Sequence, residues 1–324
     1  FVRYFKSWVR QAVVPENAGG WDTLCWRTIE AGIRMGGAWQ WALHSFYKSP
    51  HFTDDVLVDW YKSVWEHGWR LRNFHRTGNW LIMEMNGLAQ VGILYPQFKD
   101  APAWLAYAFD KLVAELDAQI YPDGWQVELS TGYHQVDINN YQWLMDVCQA
   151  MGVATPPQFR TAMEKMHTVN VLMMMPDGRL PDVNDGSWHD VARLMKHAVK
   201  DYPARSDFLW AFSKGKEGQP PAATSHAFNY AGYYIMRTGW QKDALWALFD
   251  GGPFGYGHQH EDKLNVLFHA YGRLLLTEGG NYAYDISEMR RYVLSTRAHN
   301  TVRVDGHDQN RRIAYNRDTF DVTA

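Results

Sequence analysis

The chain has 324 residues, enough at roughly 100–200 residues per domain for two domains or one large one. Apolar residues make up 46% and charged residues 21%, and no apolar run is long enough to span a bilayer, so a globular chain with a sizeable core and no membrane partner is expected. A net charge of −3 excludes a polycation that coats nucleic acid, and two cysteines, Cys25 and Cys148, exclude a disulfide framework and read as buried free thiols. The 16 Trp, 18 Tyr and 15 Phe are the unusual feature. Most must be core, but flat aromatic walls also stack on sugar rings, which points weakly to carbohydrate.

The first residues, from Phe1, show no charged segment followed by an apolar one, so no signal peptide is read in this chain. Residues up to about 215 read as one helix after another. Trp21 to Phe46 carries Leu24, Ile29, Ile33, Met35, Ala38, Trp41 and Leu43 at helical spacing. A helix over Phe52 to Trp69 begins at Thr53-Asp54-Asp55 and stops at Gly68. The next spans Asn79 to Leu94 and stops at Pro96. Another spans Ala101 to Ile120 and is closed by the turn Tyr121-Pro122-Asp123-Gly124. Helices over Asn139 to Met151, Pro156 to Met174, Val191 to Lys200 and Asp207 to Lys214 follow. There is no glycine-rich phosphate loop. Repeated helix, Gly/Pro turn and helix implies a helical toroid or hairpin array.

Gly215 to Pro221 is a linker by composition, and beyond it the apolar period becomes two. Strands are expected over Tyr230 to Arg237, Ala244 to Asp250, Leu264 to Ala270, Arg273 to Glu278 and Asn300 to Asp305. A last strand over Asp318 to Ala324 has nothing after it, so the chain reads as a piece of a longer protein. The expected layout is a helical domain over 1–215 and an incomplete antiparallel β domain over 222–324.

Four segments could carry chemistry. They are Arg76-Thr-Gly-Asn79-Trp80, the polar loop from Asp123 through Glu128 to Tyr133 and His134, Gly257 to Lys263 followed by Glu278, and Arg297-Ala-His299. His258 and His260 alternate on an extended segment, so only one would join a given site. His260, Glu278 and His299, on three strand-like segments, form a two-imidazole, one-carboxylate set for a divalent metal. Tyr133 reads as a packed aromatic or as a phenol whose pKa a nearby cation or imidazole lowers. Asn79 reads as a helix N-cap or as an amide that bonds a ligand carboxylate.

At these residues the chain resembles the heparinase II/III family of polysaccharide lyases. Gly78-Asn79 with Asn86-Gly87-Leu88 and Leu94-Tyr95-Pro96 is similar to its first signature. Glu128-x-Ser130-x-x-Tyr133-His134 is similar to its second. His258-Gln-His260-Glu-Asp262-Lys263-Leu264, Gly272 through Glu278-Gly279, and Ala298-His299-Asn300-Thr301-Val302 resemble its C-terminal domain.

The resemblance implies an incomplete (α/α) toroid followed by an antiparallel β-sandwich, and β-elimination on a uronate-containing glycan. It implies that Asn79 neutralises the uronate carboxylate, that Tyr133 handles the proton, and that His258 is the complementary base, with His260 committed to the metal. Trp80, Glu128, His134, Arg76 and Arg297 are the expected substrate contacts, and Arg70, Arg72, Arg290 and Arg291 are further sulfate or carboxylate partners. Trp80 follows Asn79 where several family members have His, which favours the heparinase III-like branch. Glu278 stands where Asp is common. The implied cofactor is one structural divalent ion, zinc before manganese or calcium. The implied partner is an acidic polysaccharide, heparan sulfate-like before alginate, met in the periplasm or outside the cell; oligomeric state is open. Two competing readings are a glycoside hydrolase using two of Asp182, Asp185 and Glu128, and a glycan-binding protein without activity.

Overall fold

The computed structural model describes residues 1–17 and 24–309. The chain divides into two compact units. One comprises 1–118 and 139–159, the other 119–138 and the residues from 160 onward. The helices in chain order are α1 (Val2–Gln11), α2 (Thr28–Ile33), α3 (Trp39–Phe46), α4 (Asp54–Asn73), α5 (Asn79–Leu94), α6 (Ala101–Gln119), α7 (Thr131–Met151) and α8 (Pro157–Met173). Short helices α9 (Val191–Leu194), α10 (Ala198–Asp201), α11 (Ser206–Phe212) and α12 (Glu288–Leu294) follow. The strands are β1 (Arg179–Leu180), β2 (His189–Asp190), β3 (His226–Phe228), β4 (Tyr233–Arg237), β5 (Trp246–Asp250), β6 (Val266–Ala270) and β7 (Arg273–Leu276).

In the first unit the expected bounds of α5 hold at both ends. Its N-cap is Gly78, at φ 71°, a left-handed conformation that costs an L side chain and suits glycine. Its last turn closes with the Tyr95 amide on the Val91 carbonyl, just before Pro96. The stretch read as one helix from Trp21 to Phe46 is broken instead. Among the described residues it holds a short 3-10 turn at Leu24–Trp26, then α2, a wide turn over Arg34–Ala38, and α3. Helix α4 does not stop at Gly68 but continues to Asn73. Gly68 is there because a Cβ would lie 2.3 Å from the Trp104 ring of α6. It permits close helix approach rather than ending the helix. Fewer tryptophans are core than expected: in this unit Trp26, Trp60 and Trp104 are buried, Trp41, Trp65 and Trp143 are exposed, and Trp39 packs against Trp60 and His67. Cys25 is exposed, against the expectation of two buried thiols, whereas Cys148 is buried.

Two buried carboxylates of this unit hold the turn that leads into α5. Glu84 Oε2 accepts the Arg76 backbone amide at 2.7 Å, and Glu115 Oε1 accepts that of Gly78 at 3.0 Å. Burial pushes the Glu84 carboxyl up to about 7 from 4.5. The folded state therefore favours its protonated form. The stability this supplies is complete below the unfolded value and is lost as pH rises through about 7. Glu84→Gln should lack this loss. Denaturant melts at pH 5 and pH 8 should show wild type losing roughly 1–3 kcal/mol more than the variant across that interval. Equal slopes would refute the assignment.

In the second unit, β3 to β7 form one antiparallel sheet in sequence order. Its register aligns Ile235 with Leu248 and Leu248 with Leu267. Tyr233, Ile235, Trp246 and Leu248 are buried at alternate positions, as a period of two requires. Strand β4 starts later than expected, after a left-handed Gly232 at φ 74°. The expected strand over Asn300 to Asp305 is replaced by a single bridge, Val304 to His307. The Asn300 amide bonds the Asn265 side chain instead of a neighbouring strand. The stretch Val191 to Lys200 forms two helices, not one. The hairpin of β1 and β2, strand β3 and helix α12 were not anticipated. The expected strand over Asp318 to Ala324 lies outside the described residues.

Helix α7 begins eight residues before the expected Asn139. Thr131 to Ile138 read as loop because its interior positions are polar. Gln135 and Asn170 exchange amide bonds at 2.7 and 3.2 Å, and Asp137 is buried. A helix that buries polar groups lacks the apolar period that marks helices in sequence.

Candidate active site and metal centre

Within the second unit, Tyr133 sits in the first turn of α7, not in a loop. Its ring stacks on that of His258, with centroids 3.5 Å apart and planes 18° from parallel. The Tyr133 hydroxyl lies 2.8 Å from that of Tyr284, and Tyr284 Oη lies 3.1 Å from His258 Nδ1. Three proton-bearing side chains, from α7, from the loop before β6 and from the loop before α12, therefore meet at one point. Tyr284 went unseen in the sequence. It lies among several tyrosines, with no pattern to single it out.

The phenol of Tyr133 is not activated in the way expected. Burial raises its pKa above the ordinary value, with Glu128 and Asp185 adding to the rise. The Tyr284 hydrogen bond and Arg290 work against it without reversing it. Burial and then the bond to Tyr133 also raise Tyr284. Both hydroxyls hold their protons at neutral pH, so the pair is built to donate.

His258 and His260 do not face opposite sides of a strand. His258 has φ 46° and neither residue lies in a strand. The turn aims both rings at one carboxylate. Asp185 Oδ2 is 3.0 Å from His258 Nδ1, and Asp185 Oδ1 is 3.0 Å from His260 Nε2. Arg290 completes the group with two bonds, at 2.6 and 3.0 Å, one to each Asp185 oxygen. Burial alone would raise the Asp185 carboxyl. The bonds from His258, His260 and Arg290 outweigh it and hold the group well below the usual carboxylate range. Asp185 lies in the loop between β1 and β2, whose backbone is registered on this turn. The Asp185 amide donates to the His258 carbonyl at 3.0 Å and the His260 amide to Asn184 Oδ1 at 2.8 Å.

His260, Glu278 and His299 come together as a buried group with ligand atoms within 4.8 Å of one another. The three strand-like segments expected to supply them are not strands at these positions. His260 lies in a turn, Glu278 follows the end of β7, and His299 follows a 3-10 turn over Thr296–Ala298. His260 Nδ1 and His299 Nε2 are buried with no hydrogen-bond partner among the described residues. Glu278 is held by His299 Nδ1 at 2.8 Å and by the Asn265 side-chain amide. Two buried imidazole nitrogens without partners beside a carboxylate are what a divalent cation would satisfy, so this donor set fits one.

The other expected substrate contacts divide. His134 is buried, bonded to the Met166 carbonyl at 3.0 Å, and burial lowers its pKa to about 4. It is a neutral interior group tying α7 to α8, not a substrate contact. Glu128 is buried in the loop before α7, whereas Arg297 is exposed. In the first unit, Asn79 is the buried first residue of α5, and Gly78, not Asn79, is the cap. Arg76 is exposed, and the Arg27 guanidinium lies 5.6 Å over the Trp80 ring. Arg70 and Arg290 are not free for sulfate. Arg70 is buried and bonds the carbonyls of Trp26 and Asn17, and Arg290 is spent on Asp185. Of the carboxylates a hydrolase would need, Asp182, Asp185 and Glu128, all three are buried.

Among the described residues, no helix is long and apolar enough to cross a membrane. Two family descriptions match the chain, "Heparinase II/III N-terminus" over residues 1–210 and "Heparinase II/III-like, C-terminal" over residues 220–318. A heparin-sulfate lyase of Bacteroides stercoris is 26% identical over 289 residues, covering 86% of this chain and 43% of its own. A heparin-sulfate lyase of Pedobacter heparinus is 25% identical over 319 residues, covering 95% and 48%. A solved heparinase III superposes with a TM-score of 0.79 at 25% identity, covering 94% of this chain and 51% of that one. This chain thus spans about half the length of the relatives it matches. This likeness, with the helix-rich first part and the five-stranded antiparallel sheet of this chain, bears out the expected fold class. With these two descriptions matched in order over nearly the whole chain, the chain belongs to the heparinase II/III family.

Proposed function

We propose that this chain belongs to a polysaccharide lyase, a carbon–oxygen lyase that cleaves a uronate-containing glycan by β-elimination, with a heparan sulfate-like glycosaminoglycan as substrate. The observation that carries this reading is the stacked Tyr133–His258 pair with the Tyr284 hydroxyl on both. β-Elimination needs one group to take the C5 proton and another to protonate the leaving oxygen. His258, with its Nδ1 against Asp185, has Nε2 as the basic nitrogen and accepts the C5 proton. The C5–H electron pair becomes the C4–C5 double bond as the C4–O bond breaks. Tyr133, a phenol that keeps its proton, donates to the departing glycosidic oxygen. Tyr284 holds the Tyr133 hydroxyl in register with His258.

The uronate carboxylate makes C5–H a very weak acid. A group that disperses that charge stabilises the enolate-like transition state more than the ground state. Family resemblance gives this task to the Asn79 amide. Arg76, Trp80 and Arg297 are proposed contacts for the glycan. A divalent ion on His260, Glu278 and His299, zinc by donor type, would pin the loop that carries His258. An acidic polymer as substrate fits a periplasmic or secreted enzyme. The two competing readings have less support. A hydrolase lacks an open carboxylate pair among the residues it would use, and a binding protein has no use for two protonated phenols on an imidazole.

Incubation with heparan sulfate, heparin and alginate, following ultraviolet absorbance of the unsaturated product, tests the reading. Absorbance should rise with heparan sulfate first. New reducing ends without that absorbance would mark a hydrolase and overturn it.

A further inference from the structure

We propose that Asp185 is a positioning residue that sets the ring tautomers of two histidines with different tasks, His258 on the substrate side and His260 on the metal side. For His258 the inference rests on the lyase reading; for His260 it does not. Asp185 was visible in the sequence only as one of several carboxylates, and Arg290 only as a possible sulfate partner.

The argument is one of donors and acceptors. An ionised carboxylate only accepts hydrogen bonds. Asp185 is kept ionised by a bidentate guanidinium, Arg290, on its two oxygens. Its side chain is 1% exposed, so water does not substitute for these partners. Each ring nitrogen facing it must therefore carry the hydrogen. That nitrogen is Nδ1 in His258, where the Tyr284 oxygen at 3.1 Å then accepts a share of the same hydrogen, and Nε2 in His260. The two rings are forced into opposite tautomers by the same group. The lone pair of His258 is left on Nε2. The lone pair of His260 is left on Nδ1, the nitrogen that has no partner among the described residues, and His260 is grouped with Glu278 and His299.

A carboxylate that orients a ligating imidazole is a known arrangement, as is one that orients a basic imidazole. Here one carboxylate does both, and the bonds from the Asp185 amide to the His258 carbonyl and from the His260 amide to Asn184 Oδ1 keep its two oxygens on their respective rings. The consequence is specific. A change at Asp185 must disturb both the base and the metal site, whereas a change at a metal ligand away from Asp185 disturbs the second alone.

The test begins on the wild-type chain, which needs no variant to fold. Nitrogen-15 NMR of ring-labelled histidine, with His258→Gln and His260→Gln used for assignment, should show opposite tautomers. His258 should be protonated at Nδ1 and His260 at Nε2, before and after zinc is added. The same tautomer in both rings would overturn the proposal. Asp185→Asn presents one acceptor and one donor, so one ring must switch. Turnover on heparan sulfate should fall on the order of 10²–10⁴-fold with KM little changed. Zinc retention against a competing chelator should weaken about 10–100-fold. His299→Ala should lose zinc yet keep the His258 tautomer. An Asp185→Asn chain with an unchanged His258 signal and wild-type zinc retention would refute the shared role. If wild type shows the opposite tautomers but cleaves no uronate glycan, the lyase reading fails and the positioning role stands.

Discussion

Replacing Tyr133 with phenylalanine is expected to cut β-elimination by about 10²–10⁴-fold while leaving glycan binding close to wild type. The change removes one hydroxyl and almost no packing, because the ring can still stack on His258 at the same face. What is lost is the proton donor to the leaving oxygen and the 2.8 Å bond to Tyr284. The raised pKa of the phenol keeps its proton in place at neutral pH, so its role is that of a donor. Single-turnover measurement of the unsaturated product, beside calorimetric binding of an uncleaved oligosaccharide, separates chemistry from binding. A variant with near-normal turnover would sink the assignment of Tyr133. A variant that lost binding in proportion to turnover would make the hydroxyl a substrate contact instead.

The second large effect concerns the buried group of His260, Glu278 and His299. These residues come from three separate segments, so their donor atoms converge only in the folded chain, and any ion they hold stabilises folding. Removing that ion leaves His260 Nδ1 and His299 Nε2 buried without partners. An unsatisfied buried polar atom costs roughly 1–3 kcal/mol, and each kcal/mol lowers Tm by about 2–4 °C in a domain of 150–250 residues. With two such atoms, chelation should therefore lower Tm by about 4–24 °C, and zinc should restore it. His299→Ala should melt near the chelated wild type and respond to neither treatment. Metal analysis that finds no bound ion after reloading, together with wild-type melting of His299→Ala, would remove the metal from the account.

How much of this was legible in the residues depends on whether the signal was local. Helix α5 was readable because an apolar run ends just before Pro96, although its cap is Gly78 and not Asn79. Strands β4 to β6 were readable because one of their faces is buried and alternation survives in the order of residues, whereas β7 buries none of its side chains. Asn79, Tyr133 and His258 were singled out through resemblance, since a motif is also a local pattern, and the candidate metal donors His260, Glu278 and His299 through their residue types. Where a residue's role is set by a distant partner, the sequence was silent or misleading. Gly68 looked like a helix stop, yet the Trp104 ring of α6 requires it inside α4. Thr131 to Ile138 looked like a loop because its helix buries a carboxylate, Asp137, and an amide, Gln135, whose partner Asn170 is distant in the chain. His134 looked like a site residue and is a buried neutral ring on the Met166 carbonyl. Above all, sequence alternation set His258 and His260 apart, whereas the tertiary structure joins them through Asp185, a residue 73 positions away from the first and 75 from the second. Composition and motif determined which groups are present. Only the folding of the β1–β2 loop and α12 onto that turn decided which of them share a proton, because a hydrogen bond depends on proximity and direction, and neither is written in spacing along the chain.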